Sequence, residues 1–272
     1  MRLGHVVGID PPIPTKRLRL LTYNIAHGRG LSLHQSLRSE TKIRAQLLKI
    51  ARLISRLGVD IVALQEVDEN SRWSGSFDHL AFLAGHAGFA HVAFGITNRR
   101  VGRYQLNYGN AVLARTPISQ VENQIFGPGK VGEKGFMYCE IELPQGRVPL
   151  LNLHLNHSSR ATRLRQAARV MEFLARQQRQ RAALCCSRPI ICGDMNNAAT
   201  SPDATATILG YLQQSSNYSL HPKGARAHTF PSIWPQRALD YIYLPEECAA
   251  PEAQVLRCML SDHRPVLAEF SL

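Results

Sequence analysis

The feature that most constrains this chain is a repeated one: short apolar runs of strand length, each closing on or opening from a polar or acidic residue. LRLLTY leads into Asn24, DIVALQ into Glu66, VPLLNL into His154, and PIICG into Asp194 and Asn196. Asp240 opens YIYL, and Asp262 and His263 stand before RPVLAEF. Beyond the first two runs, strand-like segments lie near 90–97, 109–114, 118–126, 136–143, 147–155, 188–193, 239–244 and 265–271. Turn signals such as Arg115-Thr116-Pro117 and Pro144-Gln145-Gly146 separate them. Two long stretches carry helical spacing instead. Ile43, Leu47, Ile50, Ile54 and Leu57 mark residues 40–57, where Gly58 stops the helix. Leu164, Ala168, Met171, Leu174 and Ala175 make an apolar stripe over 160–181. Many strands with a few long helices predict an α+β chain of two sheets packed face to face, with helices outside.

At 272 residues and 44% hydrophobic composition, the chain is large enough for one domain with a sizeable core. Pro11, Pro12 and Pro14 make residues 1–17 read as an irregular tail, which leaves 18–272 as a single domain. No apolar run approaches the ~20 residues of a membrane-spanning helix. The opening MRLGHVVGID lacks the apolar block of a secretory signal, so a cytoplasmic protein is expected. The net charge is +12, with a pI near 9.8, which suits a polyanionic partner: nucleic acid, anionic lipid or a phosphorylated metabolite. The six cysteines, at 139, 185, 186, 192, 248 and 258, form no CxxC pair or zinc spacing. They read as reduced, mostly buried small apolar residues.

Polar and acidic groups at strand ends are held on rigid supports, and a cluster of carboxylates there needs a reason. Taken singly, each is an ordinary cap or turn former. Taken in order, TYN (22–24), LQEV (64–67), YGNAVLAR (108–115), NLHL (152–155), GDMN (193–196), LDYI (239–242) and SDHRPV (261–266) form a set. As a set they resemble the endonuclease/exonuclease/phosphatase superfamily, from about residue 18 to the C-terminus. The superfamily spans nucleases, deadenylases, tyrosyl-DNA phosphodiesterases, sphingomyelinases and inositol polyphosphate phosphatases.

The resemblance implies a four-layer αββα sandwich and a Mg²⁺-dependent phosphodiesterase, with Mn²⁺ able to substitute. It implies Glu66 as the main metal ligand, Asn24 beside it and Asp262 near the metal. Asp194 and Asn196 would orient the attacking water and bind the phosphate. His263 would act as base, alone or with Asp194, and Asp240 would fix its tautomer. His154 would donate to a phosphate oxygen. The chemistry asks for the same residue types: Mg²⁺ prefers carboxylate and amide oxygens, and an Asp-paired His is a suitable base near neutral pH. The chain departs from the family at Ala238, where many members carry Arg, and at Asn156, where several carry an acid. The histidine at 154 argues against an abasic-site endonuclease, and the cysteine-free SDHRPV argues against an inositol 5-phosphatase.

Asn110 and His157 border these motifs and are candidate substrate contacts, as is Arg165. His27 reads as an exposed loop histidine. The arginines of 160–181 read first as a solvated helix face and second as a phosphate-contacting one. Arg99, Arg100 and Arg103, interleaved with Tyr104 and Tyr108, suit a single nucleic-acid strand. Trp73 is either a loop contact to substrate or a packing residue. The expected activity is therefore a phosphodiesterase or nuclease. The alternatives are a lipid-headgroup or small-metabolite phosphoesterase, with peripheral contact to an anionic membrane, and a binding protein that has kept the fold without catalysis.

Overall fold

The computed structural model describes residues 17–128, 132–181, 188–224 and 226–272. Residues 1–16 of the expected tail, and Cys185 and Cys186, lie outside the described residues.

The first sheet contains β1 (Leu18–Asn24), β2 (Ile61–Asp68), β3 (His91–Arg100), β4 (Leu106–Ala114), β11 (Ala249–Val255) and β12 (Val266–Ser271), in the order β11-β12-β1-β2-β4-β3. The second contains β5 (Ile118–Ile125), β6 (Gly135–Leu143), β7 (Gly146–His154), β8 (Ile190–Asp194), β9 (Ser219–His221) and β10 (Asp240–Leu244), in the order β5-β6-β7-β8-β10-β9. Each sheet has one parallel pair at its centre, β1 with β2 and β7 with β8, and the other named pairs are antiparallel. A parallel pair needs a long crossover. Helices α1 (Glu40–Leu57) and α3 (Arg160–Arg181) supply the two crossovers, and each lies on the outer face of its own sheet. The shorter α2 (His79–Ala87) and α4 (Ala204–Gln213) complete the outer layers. The result is the αββα sandwich.

Both long helices have the expected bounds. In α1, Ile43, Leu47, Ile50 and Ile54 are buried on the first sheet, Ser39 caps the N-terminus, and Gly58 closes the helix in a left-handed conformation (φ 59°). In α3 the buried face is rotated from the expected stripe. Its centre is Ala167, Val170, Phe173 and Leu174, while Leu164, Ala168 and Met171 are only half-buried. The reason is polar: Arg163 and Gln177 belong to the buried face because Asp203 and Glu122 pair with them. Hydropathy alone therefore misphases this helix.

Four elements fall outside the sequence expectation. Helix α2 is nine residues, apolar on most sides and interrupted by Gly85, so it shows little helical periodicity. Helix α4 carries Thr205, Thr207, Ile208 and Gly210, all poor helix formers. Strand β11 is a mostly exposed edge strand containing Pro251, and β9 is three residues long. Arg17 ties the start of β1 to its neighbours, pairing with Glu252 at 2.7 Å and donating to the carbonyls of Ala250 and Glu269. Cys139, Cys192 and Cys248 are buried as free thiols, and Cys258 is half-buried and also free.

The two sheets meet over an apolar layer that includes Leu20, Ala63, Val112, Met137, Leu150 and Ile242. Polar side chains cross that layer too, with Asn152 at their centre. Asn152 of β7 donates to the carbonyls of Leu64 (2.9 Å) and Ala111 (3.0 Å) in the opposite sheet, and accepts from Gln65 (2.8 Å). These contacts fall where the β2–β4 register shifts between Leu64 and Val67. A bulge of this kind disturbs ladder hydrogen bonds locally and re-aims a side chain, and Glu66 lies within it at φ 56°. Asn152 thus satisfies backbone groups at the bulge. Asn152→Ala should destabilise the protein by about 2–4 kcal/mol, because it strands buried acceptors and the Gln65 amide. Urea unfolding monitored by circular dichroism checks this; a change below about 1 kcal/mol would contradict it.

Candidate active site

Parallel strands present their carboxyl ends at one edge of a sheet, and open α/β sheets bind ligands there. Asn24, Glu66, His154 and Asp194 all lie at or near such ends, on β1, β2, β7 and β8. Sheet register then aligns a row of groups. His154 pairs with Asp194 across β7–β8, and Asp194 with Asp240 across β8–β10. Gly193 permits this row. Its φ is 135°, and a Cβ there would fall 1.9 Å from the Leu153 carbonyl oxygen.

Asp194 is the hub. Its Oδ1 accepts the Asn196 backbone N–H (2.9 Å), and its Oδ2 accepts from the Asn24 amide (3.0 Å). The same Oδ2 lies 3.3 Å from His154 Nε2 and 3.7 Å from His263 Nε2. His263 Nδ1 donates to Asp240 Oδ2 at 2.8 Å, which fixes the tautomer of the ring. The second Asp240 oxygen is buried with no partner in the structure. Burial has the largest effect on Asp194 and raises its carboxyl pKa, with Asp240 adding to the rise against His263 and Asn24. Burial works against a charged His263, but Asp240 and Asp194 raise its pKa to about 10. The Asp240–His263–Asp194 chain therefore holds a proton across neutral pH.

Glu66 forms the second focus, facing His154 from the other sheet. Its Oε1 accepts from Lys134 Nζ at 3.0 Å and lies 4.0 Å from His154 Nε2; its Oε2 lies 3.5 Å from His27 Nε2. Burial alone would raise its carboxyl, but Lys134, His27 and His154 hold it well below the usual range. Behind it sits Asp68, fully buried, which accepts from His27 Nδ1 at 2.7 Å and from the Trp73 indole N–H at 2.8 Å. Asp68 and Glu66 together raise His27 above an ordinary imidazole, overcoming burial. His154 goes the other way: burial and Lys134 push it well below the usual value despite Glu66. The site therefore sets one histidine with a lowered pKa, His154, between two with raised ones, His27 and His263.

The remaining expected residues separate into two groups. Asn196 is buried at φ 53°, with its amide donating to the Leu155 carbonyl at 2.9 Å. Asn110 lines the crevice beside Glu66, Lys134 and His154, while its amide donates to the carbonyls of Gly135 and Asn152. Asp262 lies in the loop before His263, ion-paired to Arg29 and accepting from Ser261 Oγ. His157 and Arg165 are not gathered with them. His157 is an exposed loop side chain, and Arg165 lies on the exposed face of α3, bonded to Thr162 at 3.1 Å. Other α3 arginines hold local partners: Arg160 the Pro202 carbonyl, Arg163 Asp203, Arg169 the Phe126 carbonyl and Arg176 Glu122.

Sequence reasoning missed the group behind Glu66. His27 is 7% exposed, packed edge-on against Trp73 and Tyr108 with ring centroids 5.1 and 5.0 Å away. A signal existed: His27 follows the β1 motif by three residues, and Asp68 follows Glu66 by two. Lys134 follows a loop with no motif of its own and had no such signal.

The match to known proteins covers this whole arrangement. The model of the endonuclease/exonuclease/phosphatase family matches residues 21–263. The chain belongs to that family. An uncharacterized Escherichia coli protein, YbhP, is 28% identical over 234 residues, covering 80% of this chain and 86% of that protein. Among solved structures, an endonuclease/exonuclease/phosphatase from Beutenbergia cavernae superposes with a TM-score of 0.70 at 19% identity, covering 94% of this chain and 72% of that one. Sphingomyelinase C from Streptomyces griseocarneus gives 0.62 at 20% identity, covering 94% and 100%. Truncated TDP2 from Caenorhabditis elegans gives 0.63 at 16%, covering 94% and 98%. These structural likenesses carry the fold. The family is one of metal-dependent phosphoesterases, and the chain is assigned to that class.

A raised imidazole pKa means that the folded state holds the proton more tightly. In metal-free protein, the stabilisation from His263 is full below about pH 6.5 and is lost as the pH climbs toward about 10. NMR titration of the imidazole signals in EDTA should find His263 still protonated at pH 8. Asp240→Asn should bring its midpoint down by at least about one unit, because the largest raising partner is gone. An unchanged midpoint would break the assigned Asp240–His263 pairing.

Proposed function

We propose that the protein is a Mg²⁺-dependent phosphodiesterase that cleaves its substrate by direct attack of water activated at Asp194 and His263. The observation that carries this reading is the convergence of His154, His263 and Asn24 on one oxygen of Asp194, beside an acidic Glu66. The donor set fits the metal. Glu66 supplies a carboxylate oxygen on a side chain that is 20% exposed, against 1% for Asp194, and Asn24 supplies an amide oxygen. Mg²⁺ favours such oxygen donors over nitrogen. Atoms of Asp194, Asp240 and His263 also fall within 4.8 Å of one another. That trio is a poorer holder for Mg²⁺, because one of its three donors is an imidazole nitrogen. Bound at Glu66, the ion would neutralise charge on the phosphate oxygens.

The chain's own residues supply the rest. A water between Asp194 Oδ2 and the protonated His263 gives its proton to the Asp194 carboxylate, and its oxygen bonds to phosphorus. Asp240 holds the His263 ring in its orientation and stabilises the imidazolium. His154, neutral at working pH, donates from Nε2 to a phosphate oxygen as negative charge grows there. Lys134 lines the same crevice and can meet the phosphate. The P–O bond to the leaving group breaks, and the departing oxygen takes up the proton. Products are a phosphomonoester and an alcohol.

A nucleic-acid strand was one expected substrate, and the loop after β3 gives it some support. Arg72, Arg100 and Arg103 stand 5.7–5.8 Å from the centre of the exposed Tyr104 ring. That loop also exposes Val101 at 80%, which a phosphate backbone does not use.

Hydrolysis of bis-p-nitrophenyl phosphate tests the chemistry. Activity should require Mg²⁺ and vanish in EDTA. Glu66→Gln should reduce kcat/KM by roughly 100-fold or more with unchanged circular dichroism. Asp240→Asn should lower kcat by roughly 100-fold or more while the Mg²⁺ concentration for half-maximal rate stays put. Near wild-type turnover in Glu66→Gln would overturn the metal assignment. A large shift in Mg²⁺ requirement in Asp240→Asn would place Asp240 on the metal.

A further inference from the structure

The exposed apolar side chains of this protein are not scattered. Among the described residues ten large apolar side chains are exposed, and only Val92 and Val121 lie on strands away from the site. The other eight lie in loops at the carboxyl end of the two parallel pairs, around the site. On the Glu66 side, the loop leaving β1 exposes Leu33 at 93% and Leu37 at 67%, with Leu31 beside them. On the His263 side, the segment leading into β10 exposes Ile233 at 60% and Trp234 at 73%. Val101 and Tyr104 project from the β3–β4 loop, and Met259 precedes β12.

These loops are braced, so the exposure is built in. His34 packs against Trp73 with ring centroids 5.7 Å apart, and Ser36 donates its backbone N–H to His34 Nδ1. Ser232, beside Ile233, donates its N–H to the Asp262 carbonyl (2.7 Å) and its hydroxyl to the Ser261 carbonyl (2.5 Å). Arg264 donates to the Ser232 carbonyl at 2.8 Å. Cations stand among the apolar groups: exposed Arg72, Arg100 and Arg103 about Tyr104, and exposed Arg237 three residues from Trp234. The whole chain carries +12.

We infer that this end of the sandwich docks on an anionic phospholipid bilayer, and that the phosphodiester cleaved belongs to a membrane lipid. The inference deepens the phosphodiesterase reading and rests on it for the cleavage step. Charge complementarity selects the partner. An aliphatic and tryptophan rim interleaved with arginine matches a surface with anionic headgroups above acyl chains. A nucleic-acid strand uses the arginines and Tyr104 but gives Leu33, Ile233 and Met259 nothing to meet. A second copy of the chain seated here would cover the opening that the substrate must use. A bilayer pressed against the rim instead brings its own headgroups to the crevice lined by Glu66, Lys134 and His154.

The test is binding of the full chain to vesicles of phosphatidylcholine, with or without about 30% phosphatidylglycerol, at about 0.15 M KCl. Wild type should sediment with the anionic vesicles and bind the neutral ones at least roughly tenfold more weakly. Brominated acyl chains should quench wild-type tryptophan fluorescence and leave that of Trp234→Phe nearly unquenched. The variant Leu33→Ser/Ile233→Ser/Trp234→Ser should lose at least roughly tenfold in vesicle affinity with an unchanged melting temperature. The inference is overturned if wild type ignores anionic vesicles, or if the triple variant binds them as well as wild type. It is also overturned if the substitutions convert a dimer to a monomer without touching vesicle binding. Preferential binding of a single-stranded oligonucleotide, steeply salt-dependent and untouched by the three substitutions, would assign the rim to nucleic acid instead. Loss of bis-p-nitrophenyl phosphate hydrolysis in the wild type would overturn the phosphodiesterase reading alone, since vesicle binding is read without turnover.

Discussion

The structure depends on a side chain that crosses between its two sheets. Asn152 sits in a largely apolar interior and reaches the backbone of β2 and β4 where their ladder is broken. A buried polar group in that layer is costly unless every partner is met. Here the partners are carbonyls at the bulge and the amide of Gln65, which also bonds Thr22 at 3.1 Å. Apolar packing between sheets is non-directional and tolerates sliding. This network does not, so it sets the position of one sheet on the other. The distance from Glu66 to His154 and Asp194 is a distance between sheets, and it inherits that precision.

On this frame the site is built twice over in similar terms. Asp240 supports His263, which faces Asp194; Asp68 supports His27, which faces Glu66. In each case a fully buried carboxylate fixes an imidazole, and the imidazole addresses a second carboxylate nearer the opening. His154 lies between them and is kept neutral by its burial and by the Lys134 ammonium. Two foci of opposite need are thus placed a few ångströms apart. Glu66 is held as an anion by the cations around it, and Asp194 is held ready to carry a proton.

The framework of this arrangement was legible in the sequence because strand-length apolar runs and long amphipathic helices are strong signals. Asn24, Glu66, His154, Asp194, Asp240 and His263 were legible because each terminates or begins such a run. What was not legible depends on closeness in space. His27 reads as a loop residue until the β2 bulge brings Asp68 behind it. Lys134 is far from any motif in sequence and meets Glu66 only because it stands just before the start of β6. Arg165 and His157 looked close to His154 along the chain, but α3 turns outward after residue 160, so sequence proximity misled. The phase of α3 failed for a related reason: arginine and glutamine count as solvent-facing in hydropathy, yet paired to Asp203 and Glu122 they belong to the interior.

The row His154, Asp194, Asp240 is set by strand register and not by any loop. Side chains alternate across a sheet, so a slip of one residue in β8 or β10 would turn an aspartate onto the opposite face. Deletions and insertions should therefore be unevenly tolerated along this chain. The segments that rim the opening can lengthen, shorten or change sequence without disturbing the row, since their anchors are the strands. A single residue added inside β8 would dismantle it. Drift in this fold is thereby channelled into the surfaces around the opening, while the row of side chains stays where hydrogen bonding between strands has put it.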